Sequence, residues 1–343
     1  MPNNLKKINE KYDKLKKVHS YSLDDKSVLI IGGGYMGKEY AHALEQLGVN
    51  DVTIITKSPK QSSDFTDKFH YTILDGGFKK QLPTVGKKDL VIIAIPTELL
   101  ISATKLAIKT GQTRILLEKP GSLFHQELFS LNEIIDKQKV RIAYNRLLYP
   151  NFHKIKQLAK NEGGITSCKF DFTEWIHKIP FGVYQENEYT LWGISNSLHV
   201  ITMALELIGM PKEITSFQFG KLAWHTSGSI FVGAGTSEEN IPFSYHANWE
   251  SSGRWMVEIM TKENSYRLMP LEKIFVCKKG TVEWKPVDFQ VAFQESKFGI
   301  AEEVVAMLDD ELEDEIGMVT LEKAIEYNKI AEKIFGYDTK SMN

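Results

Sequence analysis

Three groups of residues could do chemistry. The first is Gly32-Gly33-Gly34-Tyr35-Met36-Gly37, in which Gly32, Gly34 and Gly37 stand in G-x-G-x-x-G spacing. Such spacing suits a diphosphate: the first glycine permits a tight turn, the second lets bare backbone approach the anion, and the third lets a helix pack closely on a strand. The second group is Leu117-Glu118-Lys119-Pro120. An ammonium at the carboxyl end of a strand can donate a proton or hydrogen bond to a carbonyl that is becoming an alkoxide. Lys119 could equally be an ion partner of Glu118. The third is His199, whose imidazole can exchange protons near neutral pH, although a single histidine on an apolar helix is more often packed core.

These residues need a scaffold, and the sequence outlines one. The apolar run Val28-Leu29-Ile30-Ile31 reads as a buried strand directly before the glycines, and residues 37–47 read as the helix after them. That helix would aim its free N–H groups and positive dipole end at the diphosphate. Further strands are expected at 52–55, 90–95, 114–117 and 141–144, with helices at 99–108 and 123–137. Strands that are apolar on both faces and alternate with helices call for a parallel sheet covered on both sides, a doubly wound domain.

After Pro150 the pattern changes. A helix at 151–160 and an alternating stretch at 166–175 precede a helix at 196–207. Strand-like stretches follow at 213–219, 230–232, 243–249, 255–261, 266–269 and 274–277, and a last helix at 321–335 is expected to pack back on the body. Successive strands without intervening helices imply an antiparallel or mixed sheet. The predicted organisation is a helical extension (1–26), a Rossmann domain (27–147) and a substrate-binding and oligomerisation domain (148–343). Residues 4–18 form an amphipathic pattern that suits a helix capping the first domain or making a subunit contact, in preference to a membrane surface.

The cofactor preference is read after the second strand, at Thr56-Lys57-Ser58. An NAD site normally places a carboxylate there for the ribose 2′-hydroxyl, whereas a lysine and two hydroxyls suit a 2′-phosphate. NADP(H) is favoured, with NAD(H) as the alternative; Lys57 as a plain solvated lysine is the bland reading. Pro96 and Thr97, after the third predicted strand, could border the nicotinamide ribose, although Pro96 could be only a strand terminator.

With the glycine motif, the Glu118-Lys119-Pro120 run, the crossover Tyr144-Asn145-Arg146-Leu147-Leu148-Tyr149-Pro150 and the helix Asn196-Ser197-Leu198-His199, the chain resembles the Gfo/Idh/MocA family of sugar and cyclitol oxidoreductases. The resemblance implies a Rossmann domain followed by an α/β domain with a large open sheet that commonly mediates oligomerisation. It implies Lys119 and His199 as catalytic residues, Glu118 and Lys119 beside the cofactor, and Asn145 and Asn196 toward the substrate. The family usually carries a carboxylate three or four positions before the histidine; here those positions hold Asn196 and Ser195, and Thr202 follows where an acid is frequent. None of the three can act as a general base. Trp175, His177, Tyr184, Tyr189 and Trp192 form an aromatic stretch that could stack on a sugar or nucleobase, or serve as core or subunit contacts.

Composition narrows the remaining classes. The 343 residues carry a formal net charge of −2, with 42% apolar and 25% charged residues, which argues against nucleic acid as a partner. Cys168 and Cys277 are too few for a disulfide framework or a zinc site, and His225 and His246 lack a ligand cluster, so no metal is expected. No apolar run is long enough to span a bilayer, and a cytoplasmic location is expected. The reading is an NAD(P)(H)-dependent dehydrogenase or reductase acting on a CH–OH carbon of a sugar, nucleotide sugar or cyclitol, in a homo-oligomer (dimer or tetramer), with surface-carbohydrate biosynthesis as a setting by family analogy. A variant is reduction of a nonsugar substrate such as a tetrapyrrole. The alternative is a catalytically degenerate sensor of dinucleotide or sugar.

Overall fold

The computed structural model describes residues 13–293 and 297–338. The chain forms two compact units, the first comprising Lys14–Leu148 and Val291–Glu326, the second comprising Asp13, Tyr149–Gln290 and the described residues from Tyr327 onward.

In the first unit β1 (Ser27–Ile31), β2 (Asp51–Ile55), β3 (Thr72–Leu74), β4 (Leu90–Ile93), β5 (Arg114–Glu118) and β6 (Lys139–Ala143) form one sheet in the order β3-β2-β1-β4-β5-β6. Every pairing is parallel. In β1 and β4 every position from Val28 to Ile31 and from Leu90 to Ile93 is buried, as strands covered on both faces require. The order reverses between β1 and β4, and a crevice beyond the carboxyl ends of those two strands is where such sheets bind ligands. Two elements have weak sequence signals: β3 has only three residues, and the helix Pro59–Thr66 is mostly polar.

The domain boundaries differ from the sequence expectation at both ends. Leu15, Val18 and Leu23 belong to the core of the first unit, so the described part of residues 1–26 is not a separate extension. Of the helix expected at 4–18, residues 13–15 are helical, residues 16–17 form a turn and Val18–Ser20 is a short 3-10 turn, while residues 4–12 lie outside the described residues. Val291–Glu326, expected in the second domain, groups with the first unit. Two forces hold it there. The helix Ile300–Leu308 is buried from Ile300 to Met307 and packs on the helix Tyr35–Gln46. The following helix, Asp310–Ile316, offers Asp310 and Glu313 to Arg114, Lys139 and Arg141 on β5 and β6.

The second unit contains β7 (Ser167–Asp171), β8 (Pro211–Phe219), β9 (Ile230–Ser237), β10 (Pro242–Asn248), β11 (Met256–Met260), β12 (Asn264–Leu268), β13 (Ile274–Lys278) and β14 (Trp284–Val287). Their order is β14-β13-β12-β11-β7-β10-β9-β8. The sheet is mixed: β7 and β10 run parallel, while β7 and β11 run antiparallel with Asp171 opposite Met256. The helix Leu198–Ile208 packs on β7 and β11 and buries every position except His199 and Glu206. Phe172, Phe231, Trp249 and Phe335 form an aromatic core beside it. Gly193 is required there, because a Cβ would overlap the Phe335 ring.

Candidate functional site

The glycine turn sits where the strand order reverses. Gly32 follows β1 with a positive φ of 131°, and a Cβ on it would overlap Ala94 O at the end of β4. A Cβ on Gly37 would overlap Gly32 O, so the helix can approach the strand only without one. Gly34 differs: it caps the helix Tyr35–Gln46, is exposed, and has nothing within 4 Å of the place a Cβ would take. The first and third glycines are thus demanded by the fold, while the second keeps space open in front of the helix N-terminus. An open helix N-terminus of this kind can accept an anion on its free N–H groups.

Tyr35 is exposed and Met36 half-buried at the same turn. Lys297 approaches both, with Nζ 5.2 Å from the Tyr35 ring centroid and donating to Met36 Sδ at 3.2 Å. Burial lowers its pKa, and the nearby Glu118 carboxylate opposes the shift. Sequence reasoning missed Lys297, which lies 261 positions from Met36.

Beyond the end of β2, Lys57 is exposed and Ser58 caps the helix Pro59–Thr66. Lys60, in the first turn of that helix, is a second exposed ammonium not anticipated from sequence. Thr56 does not join them. Its side chain is buried and its hydroxyl pairs with Ser62 Oγ at 2.7 Å, so it shapes the loop from within. Pro96 is exposed and Thr97 opens the helix Thr97–Lys109, beyond the end of β4.

Lys119 follows β5 and is half-buried. Glu118 turns its carboxylate into the core, where Tyr40 OH lies 3.0 Å from Glu118 Oε1 and 3.1 Å from Glu303 Oε2. Burial raises the Glu118 pKa, with Lys119 the largest opposing influence. Glu303 is pushed well above the usual carboxylate range, first by burial and then by the Glu118 charge. One phenol proton cannot be donated to both carboxylates at once, so the two compete for Tyr40. Glu118 is therefore bonded within the core, and Lys119 partly compensates its charge. Asn145 is likewise engaged inside the unit: it is buried, and Nδ2 donates to Phe298 O at 3.0 Å, tethering the returning segment.

The second unit assembles its own polar cluster around His199. Residues 193–197 form a π-helical turn that runs into the helix Leu198–Ile208. From Leu191 to Leu205 all positions are buried except Asn196 and His199, which are three apart and share a face. Glu174, just beyond β7, meets this turn. Its carboxylate accepts from Ser197 Oγ at 2.7 Å, Asn196 Nδ2 at 2.9 Å, Trp255 Nε1 at 3.2 Å and Arg254 Nη1 at 3.3 Å. Opposition of Asp171 and Met256 explains the meeting, since residue 174 and residues 254 and 255 leave paired strands at the same end. Burial raises the Glu174 pKa, opposed first by the Ser197 hydrogen bond and then by the Arg254 charge. The Arg254 guanidinium lies 4.1 Å from the Trp255 ring centroid and 5.0 Å from that of Trp175, and the Trp255 ring centroid is 5.9 Å from that of His199. Ser195 donates to Glu188 at 2.8 Å, and Thr202 bonds back to Leu198 O.

The aromatic stretch divides into two roles. Tyr189 and Trp192 are buried and stacked, and Tyr189 OH bonds Val183 N, Tyr184 N and Pro180 O, pinning the loop. Trp175, His177 and Tyr184 are exposed; Trp175 Nε1 is fixed on Gly253 O, and the Trp175 and His177 rings lie 6.2 Å apart. Glu174 and Arg254 were missed because nothing in their neighbourhoods of sequence marks them as partners. His225 is core: it is buried between Gly228 O and Tyr337 OH, and burial lowers its pKa to about 4. No group of three or more His, Cys, Asp or Glu residues is placed to hold a metal among the described residues. No helix among the described residues is long and apolar enough to cross a membrane.

A parallel sheet in this order with a glycine turn at its reversal point defines a dinucleotide-binding domain. Residues 26–146 match the family model GFO_IDH_MocA, described as an oxidoreductase family with an NAD-binding Rossmann fold. Among curated proteins, glutamyl-tRNA reductase of Saccharolobus islandicus (strain M.14.25 / Kamchatka #1) is 24% identical over 162 residues, which is 40% of this chain. The match spans 37% of that relative's length. Solved structures resemble nearly the whole chain. UDP-N-acetylglucosamine 3-dehydrogenase GnnA from Acidithiobacillus ferrooxidans has a TM-score of 0.69 at 13% identity, covering 91% of this chain and 97% of its own. Biliverdin reductase from Synechocystis sp. PCC 6803, solved with biliverdin and NADP+, has a TM-score of 0.69 at 15% identity, covering 91% and 99%. Levoglucosan dehydrogenase, solved with NADH and L-sorbose, has a TM-score of 0.71 at 16% identity, covering 92% and 97%. At such identities the likeness is one of fold, and it extends through the mixed sheet of the second unit.

Proposed function

We propose that the protein is an NADP(H)-dependent dehydrogenase or reductase acting on a CH–OH or keto carbon of a sugar, nucleotide sugar or cyclitol. The observation that carries the reading is the open face of Gly34, a space kept clear at a helix N-terminus between two glycines that the fold itself demands. When bound, the nicotinamide would supply or accept hydride. The chain's residues then have separable tasks: backbone N–H groups at the turn would hold the diphosphate, Lys57 with Ser58 and Lys60 would face the 2′-phosphate, and Lys119 in the first unit and His199 in the second are the two candidates for proton transfer. Exposed Trp175, His177 and Tyr184 offer stacking and hydroxyl contacts to a ring-shaped polyol.

Turnover separates this reading from binding alone. Lys119→Ala should abolish hydride transfer while NADPH affinity changes by less than about threefold, the signature of an interaction made at the reacting carbon. A fully active variant would refute the role of Lys119. The second reading, a dinucleotide or sugar sensor without turnover, is favoured by one observation: no acid stands at positions 195 and 196. NADPH binding without oxidation across a sugar panel would select it. A homo-oligomer, dimer or tetramer, is supported by Phe217 and Phe219, both exposed on β8 at the end of the mixed sheet. Surface-carbohydrate biosynthesis remains an analogy to relatives of this fold.

A further inference from the structure

We infer that Glu174 is a positioning residue that locks the side-chain amide of Asn196, so that Asn196 Oδ1 stands beside His199 as a fixed acceptor for a substrate hydroxyl. The inference rests on the reading of the second unit as the substrate side.

The hydrogen-bond chemistry leaves little freedom. An ionised carboxylate accepts and never donates, and two oxygens offer about four acceptor sites. All four are filled: Ser197 and Trp255 on Oε1, Asn196 and Arg254 on Oε2. Facing that carboxylate, Asn196 must turn its N–H group inward, since the opposite orientation would set two acceptors against each other. Oδ1 is then directed away from Glu174, and no described residue hydrogen-bonds it. Arg254 supplies a compensating cation for the buried charge.

Position and local backbone point the same way. Asn196 and His199 are the two incompletely buried side chains in fifteen consecutive residues, and they share a face. The π-helical turn that carries Asn196 is an uncommon form, and such turns are frequent at functional sites. An amide held rigidly in this way accepts a hydrogen bond and takes no proton. The site therefore selects a substrate with a free hydroxyl donor, such as a polyol or hydroxyketone, and leaves proton transfer to other groups. A site built around such a contact rejects an analogue without the hydroxyl far more strongly than an apolar pocket would.

The test exchanges the two side chains. Full-length protein with NADPH or NADP+ is assayed on UDP-N-acetylglucosamine, levoglucosan, L-sorbose and myo-inositol as wild type, Glu174→Gln, Asn196→Asp and the double variant. Asn196→Asp sets two carboxylates against each other, and its kcat/KM should fall about 100-fold, with about 10-fold for Glu174→Gln. The double variant restores a donor opposite an acceptor and should return to within about 10-fold of wild type. Additive losses, or a Glu174→Gln variant with more than half of wild-type kcat/KM, would overturn the inference. Asn196→Ala provides the loss-of-acceptor control should Asn196→Asp not fold; unchanged KM and kcat there would likewise overturn it. Absence of turnover on every sugar would count against the oxidoreductase reading, and the coupling is then read from melting temperatures. Destabilisation by Asn196→Asp that the second substitution cancels supports a locked amide, and additive shifts contradict it.

Discussion

The two units build their sites in opposite ways. In the first, six consecutive residues make the turn, and each glycine's role follows from where its absent Cβ would lie. In the second, the polar cluster draws on positions 174, 196, 197, 254 and 255, brought together by the pairing of β7 with β11 and by a π-helical turn. A local motif fixes its own geometry because backbone conformation alone sets it. A dispersed one depends on sheet register, which no short window of sequence contains.

This contrast can be broken or sharpened by experiment, and the largest effect is expected at Gly32. Gly32→Ala places a Cβ on Ala94 O from a backbone at φ 131°, and should destabilise the first unit by about 3 kcal/mol or more, measured by urea unfolding. A variant with wild-type stability would mean the turn is looser than described.

One buried group in each unit, Glu302 and His225, should answer pH in opposite directions. Burial raises the pKa of Glu302 in the first unit from 4.5 to about 7. Between those values the folded state holds a proton that the unfolded chain has lost, so stability falls as pH rises through that window. In the second unit burial lowers His225 from 6.5 to about 4. There the unfolded chain binds the extra proton, so stability falls as pH drops from about 6.5 toward 4. Each effect has an upper limit of about 3 kcal/mol. Hydrogen exchange followed by mass spectrometry at pH 5 and pH 8, corrected for intrinsic rates, resolves the units separately. Glu302→Gln should reduce the first slope, to which Glu118 and Glu303 also contribute, and leave the second unchanged; an unaltered first slope would contradict the assignment.

The smallest expected effect is at the ribose. Lys57→Ala should weaken NADPH binding by about 1 kcal/mol, near fivefold, and leave NADH unchanged. Equal losses for both coenzymes would remove Lys57 from the 2′-phosphate.

Legibility followed the same division. Four of the six Rossmann strands stand out as apolar runs, because strands buried on both faces are largely apolar, while β6 shows fewer apolar positions because Lys139 and Arg141 are half-buried in ion pairs. β3 was silent at three residues, and the helix Pro59–Thr66 has too few apolar positions to show a period. The helix expected at 123–137 is shorter, His125–Asn132, and β14 (Trp284–Val287) went unread. The return of Val291–Glu326 to the first unit is a tertiary fact, set by burial of Ile300–Leu308 and by charge pairs to Arg114, Lys139 and Arg141. Among site residues, Gly32, Gly34, Gly37, Lys119 and His199 could be named from type and spacing. Thr56, Glu118 and Asn145 could be named too, yet their side chains are bonded internally. Glu174, Arg254 and Lys297 carry no local mark, since what distinguishes them is the company they keep after folding.

The most direct measurement is calorimetric titration of NADPH and NADH into wild type and Gly34→Ala, with melting temperatures taken alongside. A methyl group at Gly34 meets no atom within 4 Å, so the variant should melt with the wild type. It should lose at least about 10-fold in affinity for both coenzymes, because the methyl would occupy the space proposed for the diphosphate. Unchanged binding by a folded Gly34→Ala protein, or no binding of either coenzyme by the wild type, would contradict the account at its centre.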